Sequence, residues 1–156
     1  MNIVFACTGN TCRSPMAEYI LKHKLGRAGR HDIHVSSMGT HTFNGKGPSF
    51  NAIEASREHH IDITGHKSHQ LIPKDLADAD IVFALEPSHV HYILDAAPTA
   101  QVELLAQWPD NDETIVHDPC GGNLNEYRRT FKIIDKHITR ILPYLLDAAE
   151  KEKSVK

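Results

Sequence analysis

Two side chains close to the N-terminus, the thiol of Cys7 and the guanidinium of Arg13, have types and a spacing suited to phosphoryl chemistry. The apolar run 3–6 precedes the loop between them, and Ser14-Pro15, typical of a helix start, follows it. A short loop between a strand and a helix points backbone N–H groups inward and makes an anion site. The helix N-terminus and Arg13 should favour the thiolate, so we predict that Cys7 is a nucleophile with a lowered pKa.

The guanidinium of Arg13 has a planar fork that can hold two oxygens of a phosphoryl group at once. Asn10 is one of the few non-glycine residues that tolerate a left-handed backbone, which a loop curled around an anion requires. The pattern alone also fits a buried cysteine and a surface arginine, but its flanking residues favour the nucleophile. The predicted phosphate-binding loop comprises Thr8, Gly9, Asn10, Thr11 and Cys12.

The segment 7–18, Cys-Thr-Gly-Asn-Thr-Cys-Arg-Ser-Pro-Met-Ala-Glu, resembles the start of the low-molecular-weight protein tyrosine phosphatases. That family also contains bacterial protein arginine phosphatases and thioredoxin-coupled arsenate reductases. Segments 35–40, 61–68 and 117–119 match further landmarks of the family in the same order. The resemblance spans almost the whole chain and implies a four-stranded parallel sheet with the phosphate-binding loop after the first strand.

The hydrophobic pattern independently favours a three-layer α/β fold. Apolar runs predict strands at 2–6, 33–37, 80–85 and 102–105, and helical periodicity predicts helices at about 15–29, 49–60, 90–97 and 123–149. Such alternation predicts a parallel sheet with helices on both faces, and ligands bind beyond the carboxyl ends of its strands. Pro143 should kink the last helix or end its regular part. We predict one phosphatase domain over 1–150 and a charged C-terminal tail at 151–156.

A cysteinyl-phosphate mechanism needs an acid for the leaving group and then a base for water, and one carboxyl group can serve as both. Asp118 is followed by Pro119, which restricts the preceding residue to extended conformations. An Asp-Pro pair by itself is more often a turn, but the resemblance implies that Asp118 is the catalytic acid. Asp110 and Asp112 are rivals that look like solvated turn residues.

The strained loop needs support from outside. The resemblance implies that Ser14, Ser37 and His66 supply it through hydrogen bonds around Asn10 and Cys7. The residues alone would make His66 a loop histidine and Ser37 a strand-end residue.

Three cysteines, an odd number, do not suggest an extracellular disulfide framework. Cys12 lies on the same loop as the predicted nucleophile and could be inert. Our hypothesis is that mild oxidation joins Cys7 and Cys12 in a reversible disulfide, which protects Cys7 from irreversible oxidation.

The substrate is predicted from two positions. Thr11 stands where tyrosine-specific members of the family usually carry a larger aliphatic residue, and threonine here marks the arginine phosphatases. Cys120-Gly121 stands where those members have a tyrosine pair that stacks on the substrate ring. Phe43 could still supply one aromatic wall. We therefore favour protein phosphoarginine over phosphotyrosine as the substrate.

Two other classes of function remain as minor alternatives. An arsenate reductase needs further relay cysteines, and residues 80–97 contain none. A non-catalytic phosphopeptide reader would not need a nucleophile, an arginine and an acid together. We expect no cofactor and no metal, and we interpret His59-His60 and His89-x-His91 as surface histidines rather than metal ligands.

Composition limits the class of protein and its partners. The chain has 156 residues and a net charge of −3, with no basic stripe, which argues against nucleic-acid binding. No apolar segment reaches membrane-spanning length, and the N-terminus lacks the features of a signal peptide. We expect a cytoplasmic protein that acts on phosphorylated proteins, and we favour a monomer.

Overall fold

The computed structural model describes residues 1–112 and 115–155. Its parallel sheet contains β1 (Asn2–Cys7), β2 (His34–Gly39), β3 (Ile81–Ala84) and β4 (Val102–Leu104), in the order β2-β1-β3-β4. The helices are α1 (Arg13–Arg27), α2 (Phe50–Arg57), α3 (Pro73–Ala77), α4 (Pro87–Ala96) and α5 (Leu124–Val155). The predicted α/β class, with a four-stranded parallel sheet, is confirmed.

Strand β1 is buried on both faces, so its alternating side chains enter two different cores. Ile3, Phe5 and Cys7 belong to the larger core, which includes the apolar faces of α1 and α5. Val4 and Ala6 belong to a smaller core on the other face, with side chains of α3, β3 and α4. The central strand therefore ends in the nucleophile candidate at the middle of the three-layer fold.

Helix α5 is longer than the hydrophobic pattern predicts. We expected Pro143 either to kink the helix or to end its regular part, and the second alternative is wrong: the helix continues through Pro143, and Leu145 and Ala149 beyond it are buried. Residues 151–155 of the predicted tail are the end of this helix, where Lys153 pairs with Asp32 at 3.0 Å. Lys156 lies outside the described residues. No described helix is both long and apolar enough to span a bilayer.

The short helix α3 was not predicted. Pro73 stands in its first turn, and the carboxylate of Asp75 accepts the N–H of Ile72 at 2.9 Å. Its five residues are too few to show the apolar periodicity on which helix prediction depends.

The carboxyl ends of β1 and β2 meet at Cys7 and Gly39, which are partners in the sheet register. A β-carbon on Gly39 would lie 2.7 Å from the carbonyl oxygen of Thr8 and 3.1 Å from Cβ of Asn10. The loop after β1 therefore packs against bare backbone at position 39, and any larger residue there would displace it.

Candidate active site

The loop from Cys7 to Arg13 connects the last residue of β1 to the first residue of α1. Its carbonyl groups are bonded to segments outside the loop. Those of Cys7, Thr8 and Thr11 accept the N–H groups of residues 40, 41 and 49 at 2.9, 3.0 and 2.9 Å. This is the arrangement expected of an anion-binding loop, because outward-bonded carbonyls leave N–H groups for the anion.

The thiol of Cys7 is buried, and its Sγ lies 2.8 Å from the hydroxyl oxygen of Ser14. Burial raises the pKa of Cys7, and this outweighs the hydrogen bonds from Ser14 and the charge of Arg13, which lower it. The sequence-based prediction of a lowered pKa is therefore wrong in its net direction. It identified the groups that stabilise a thiolate but not the desolvation that opposes them.

Asn10 adopts the left-handed backbone expected of it, with φ of 54°. Its side-chain Nδ2 donates to Ser14 Oγ at 2.8 Å and to Ser37 Oγ at 3.0 Å. Its carbonyl oxygen lies 2.8 Å from Nε2 of His66, and its Oδ1 accepts the N–H of His69 at 2.9 Å. The structure thus brings the three residues proposed as loop support into direct contact with Asn10.

A buried carboxylate that sequence reasoning missed completes this network. Glu18 Oε2 accepts a hydrogen bond from Ser37 Oγ at 2.5 Å and lies 3.7 Å from Nδ1 of His66. Its other oxygen pairs with Lys22 at 2.5 Å. The available signal was spacing, because Glu18 follows Ser14 by four residues and so shares its face of α1.

The guanidinium of Arg13 is 2% exposed and held from two directions. Its Nη1 donates to the carboxylate of Glu86, the residue before α4, and to the carbonyl of Val116 at 3.2 Å. Sequence reasoning also missed Glu86, although its place just beyond a strand's carboxyl end was a signal. These contacts fix the plane in which Arg13 meets an oxyanion.

Asp118 lies next to this arginine. Its Oδ2 is 3.6 Å from Nη2 of Arg13, its Oδ1 accepts the N–H of Cys120 at 3.0 Å, and its side chain is half-exposed. A carboxyl group between a buried arginine and solvent is placed where it could exchange protons with both a leaving group and water. The rivals Asp110 and Asp112 pair instead with Arg140 at 2.5 Å and Lys136 at 2.9 Å, both on α5.

Comparison with known proteins agrees with this geometry. Residues 2–155 match the family model of the low molecular weight phosphotyrosine protein phosphatases. The chain belongs to this family. The predicted class of enzyme, a hydrolase of the low-molecular-weight phosphatase family, is thereby confirmed.

Relatives of this phosphatase carry two kinds of name. A protein-arginine-phosphatase from Bacillus subtilis is 36% identical over 133 residues, covering 83% of this chain and 87% of the relative. The protein-tyrosine-phosphatase PtpA from Staphylococcus epidermidis is 32% identical over 157 residues, covering 98% of this chain and 99% of the relative. A solved structure of YwlE arginine phosphatase, a mutant with a phosphorylated active-site serine, is 31% identical and has a TM-score of 0.88. The match covers 93% of this chain and 95% of the solved chain. The predicted resemblance to the arginine phosphatase branch is thus supported.

The residues proposed to select the substrate lie in different surroundings. Thr11 is part of the phosphatase loop, and its hydroxyl oxygen lies 3.8 Å from Sγ of Cys12. Cys120 is exposed, two residues after Asp118. Phe43 is 77% exposed, and the centroid of its ring lies 5.1 Å from Nζ of Lys46. No contact recorded in the described part of the chain joins the Phe43 ring to the loop.

The second loop cysteine has its own polar partners. Cys12 Sγ lies 3.2 Å from the hydroxyl oxygen of Ser49 and 3.3 Å from that of Tyr127. Burial and the Cys12 contact raise the pKa of Tyr127 to about 12, so its phenol is neutral near pH 7. Both Cys7 and Cys12 are free thiols in this structure.

His89 was predicted to be a surface histidine, and this prediction is wrong. His59, His60 and His91 are exposed as expected, but His89 is 2% exposed, because it lies on the buried side of α4 with Ile93 one turn later. Its Nε2 lies 2.9 Å from the hydroxyl oxygen of Thr8. Within residues 1–112 and 115–155, no cluster of three or more His, Cys, Asp or Glu side chains could hold a metal ion.

Proposed function

We propose that this phosphatase hydrolyses phosphoarginine in proteins through a cysteinyl-phosphate intermediate. The observation that carries the proposal is that non-aromatic residues stand at both positions predicted to select the substrate. Thr11 lies in the loop, and the exposed Cys120 follows the acid where tyrosine-specific members usually place an aromatic pair. A phenyl ring would lose stacking there, whereas a guanidinium needs polar contacts. The relative named as an arginine phosphatase and the similar arginine phosphatase structure support the same substrate.

The first half of the reaction forms an S–P bond and breaks the P–N bond of phosphoarginine. Cys7 attacks phosphorus as its thiolate, which Ser14 and Arg13 stabilise against burial. Loop N–H groups and the Arg13 fork bind the phosphoryl oxygens where charge develops. Asp118 donates a proton to the departing guanidine nitrogen, which leaves the carboxylate ionised.

The second half returns the enzyme to its starting state. The Asp118 carboxylate takes a proton from water, and the resulting nucleophile attacks phosphorus. The S–P bond breaks, inorganic phosphate forms, and Cys7 leaves as thiolate. The similar structure with a phosphorylated active-site serine supports a covalent route, since a serine in the nucleophile's place there holds the phosphoryl group.

Phosphotyrosine is the second candidate substrate. It is favoured by the relative named as a protein-tyrosine-phosphatase and by the exposed ring of Phe43, which could reach a bound phenyl group. In either case we propose phosphorylated proteins as the partners. A reducing compartment such as the cytoplasm suits the three free thiols.

The deciding experiment compares kcat/KM on phosphoarginine and phosphotyrosine peptides of otherwise identical sequence. We expect the wild type to prefer phosphoarginine at least tenfold, about 1.4 kcal/mol in the transition state, and Thr11→Ile to reverse the order. Cys7→Ser should abolish turnover yet still bind phosphate, which separates an enzyme from a phosphopeptide reader. A clear wild-type preference for phosphotyrosine would refute the proposed substrate but leave the mechanism intact.

A further inference from the structure

A buried imidazole on α4 contacts the catalytic loop. His89 lies in the first turn of α4, and its Nε2 is 2.9 Å from Oγ1 of Thr8, the residue after the nucleophile. The mechanism above assigns no role to either side chain. A polar contact made by a buried side chain calls for an explanation.

The imidazole is neutral under ordinary conditions. Burial and the nearby guanidinium of Arg13 lower the pKa of His89 to about 4, although the carboxylates of Glu86 and Asp118 act in the opposite direction. The charge of His41 also lowers this pKa. The same charges show that His89 lies within electrostatic reach of the arginine and the acid of the active site.

The other ring nitrogen of His89 has no hydrogen-bond partner in the described part of the chain. Nδ1 is buried and unpaired, and it is unfavourable to leave a desolvated polar group without a partner. Among the described residues, the hydrogen bond with Thr8 is therefore the one hydrogen bond of the His89 ring. An apolar side chain would fill the same space without this penalty, so a histidine here indicates a function for its contact with Thr8.

Thr8 is an exposed residue on the rim of the loop. Its carbonyl oxygen is fixed by the N–H of His41 at 3.0 Å, and its hydroxyl is fixed by His89. A hydroxyl group has one hydrogen to donate and two lone pairs. Whichever tautomer His89 adopts, Oγ1 therefore keeps at least one lone pair free to accept a hydrogen bond.

We propose that Thr8 and His89 form a specificity pair, in which His89 orients the Thr8 hydroxyl to accept an N–H of the substrate guanidinium. Thr8 contacts the substrate, and His89 is a positioning residue. A phosphotyrosine ring has no donor for this acceptor, so the pair favours phosphoarginine. The inference rests on the proposed function and deepens it, because it places a second determinant beside Thr11.

The test uses the same pair of peptides with Thr8→Val, His89→Leu and the double variant. Each single change should reduce kcat/KM for phosphoarginine about tenfold more than for phosphotyrosine, as expected for a lost hydrogen bond to a charged group. The double variant should lose no more discrimination than the larger single variant, because the two residues act as one unit.

Matched variants separate positioning from simple structural damage. Thr8→Ser keeps the hydroxyl, and His89→Gln keeps an amide that can reach it, so both should retain most of the discrimination. His91→Gln removes an exposed histidine from the same helix and should change neither rate. If His89→Leu fails to fold, Thr8→Val at the exposed loop position carries the test alone.

Three outcomes are distinguishable. A wild type that prefers phosphoarginine, with variants that lose both activities equally, would overturn the pair and leave the proposed function standing. Additive losses in the double variant would overturn the coupling between the two residues. A wild type that prefers phosphotyrosine would overturn the proposed function and the pair together.

Discussion

Ser37 Oγ donates a hydrogen bond to Glu18 Oε2 at 2.5 Å, and both side chains are buried. The same carboxylate lies 3.7 Å from His66, which in turn contacts the carbonyl of Asn10. The Glu18 carboxylate on α1 thereby links β2 and the segment before α3 to Asn10, the residue with positive φ in the loop from Cys7 to Arg13. Through Ser37 and His66, this carboxylate therefore helps to fix the position of Asn10.

Removing the carboxylate should therefore destabilise the protein and loosen the loop. Glu18→Ala leaves the Ser37 hydroxyl without its acceptor, and we expect a loss of about 1–3 kcal/mol in the free energy of unfolding. Urea unfolding measures this loss, and inhibition by phosphate should weaken in parallel.

Lys22→Ala is the control for Glu18→Ala. Lys22 is the exposed partner of the same carboxylate on the same helix, and such a pair contributes roughly 0–1 kcal/mol. Equal losses for the two variants would show that the buried network does not support the loop.

The hydrogen bond from Ser14 opposes the effect of burial on the pKa of Cys7. Burial raises the pKa of Cys7, and the hydrogen bond from Ser14 lowers it, so Ser14→Ala should raise it further. The thiolate then forms only at higher pH. Alkylation of Cys7 by iodoacetamide, followed by mass spectrometry of the peptide that contains it, should show a midpoint shifted to higher pH. An unchanged or lower midpoint would contradict this assignment.

Gly39 permits the close approach of the loop to β2. Gly39→Ala would place a β-carbon 2.7 Å from the carbonyl of Thr8, so the loop must move. We expect kcat/KM to fall by at least tenfold, about 1.4 kcal/mol. Gly47→Ala is the matched control, since no atom lies within 4 Å of its added carbon. Similar activity in both variants would show that the loop tolerates displacement.

Cys12 should protect Cys7 from irreversible oxidation. Peroxide converts the Cys7 thiolate to a sulfenic acid, and the Cys12 thiol then displaces water to form the disulfide. Intact-mass analysis after mild peroxide should show the loss of two hydrogens, reversed by a thiol reductant. Because Tyr127 holds Cys12 at 3.3 Å, Tyr127→Phe should speed this step. Higher oxides on Cys7 in the wild type would argue against protection.

The strands, the longer helices and the loop from Cys7 to Arg13 follow from hydrophobic periodicity and local spacing. Asp118 was proposed as the acid only from the resemblance to the family, because an Asp-Pro pair alone is more often a turn. Glu18, Glu86 and His89 were missed or misassigned because their roles depend on burial against distant segments. A histidine flanked by an exposed neighbour looks like a surface residue until α4 is packed. The predicted direction of the Cys7 pKa shift was wrong for the same reason, since desolvation arises only in the folded core.

The most direct test of the central claim is to find the phosphoryl group on Cys7. We would mix the enzyme with a phosphoarginine peptide, quench in acid within the first turnover, and map the adduct by tandem mass spectrometry. With an activated aryl phosphate, whose leaving group needs no proton, Asp118→Asn should accumulate a phosphoryl group on Cys7, because its second step lacks a base. Asp110→Asn, a carboxylate paired with Arg140, should behave as wild type. Phosphate release with no adduct on Cys7, or turnover retained in Cys7→Ala, would contradict the account.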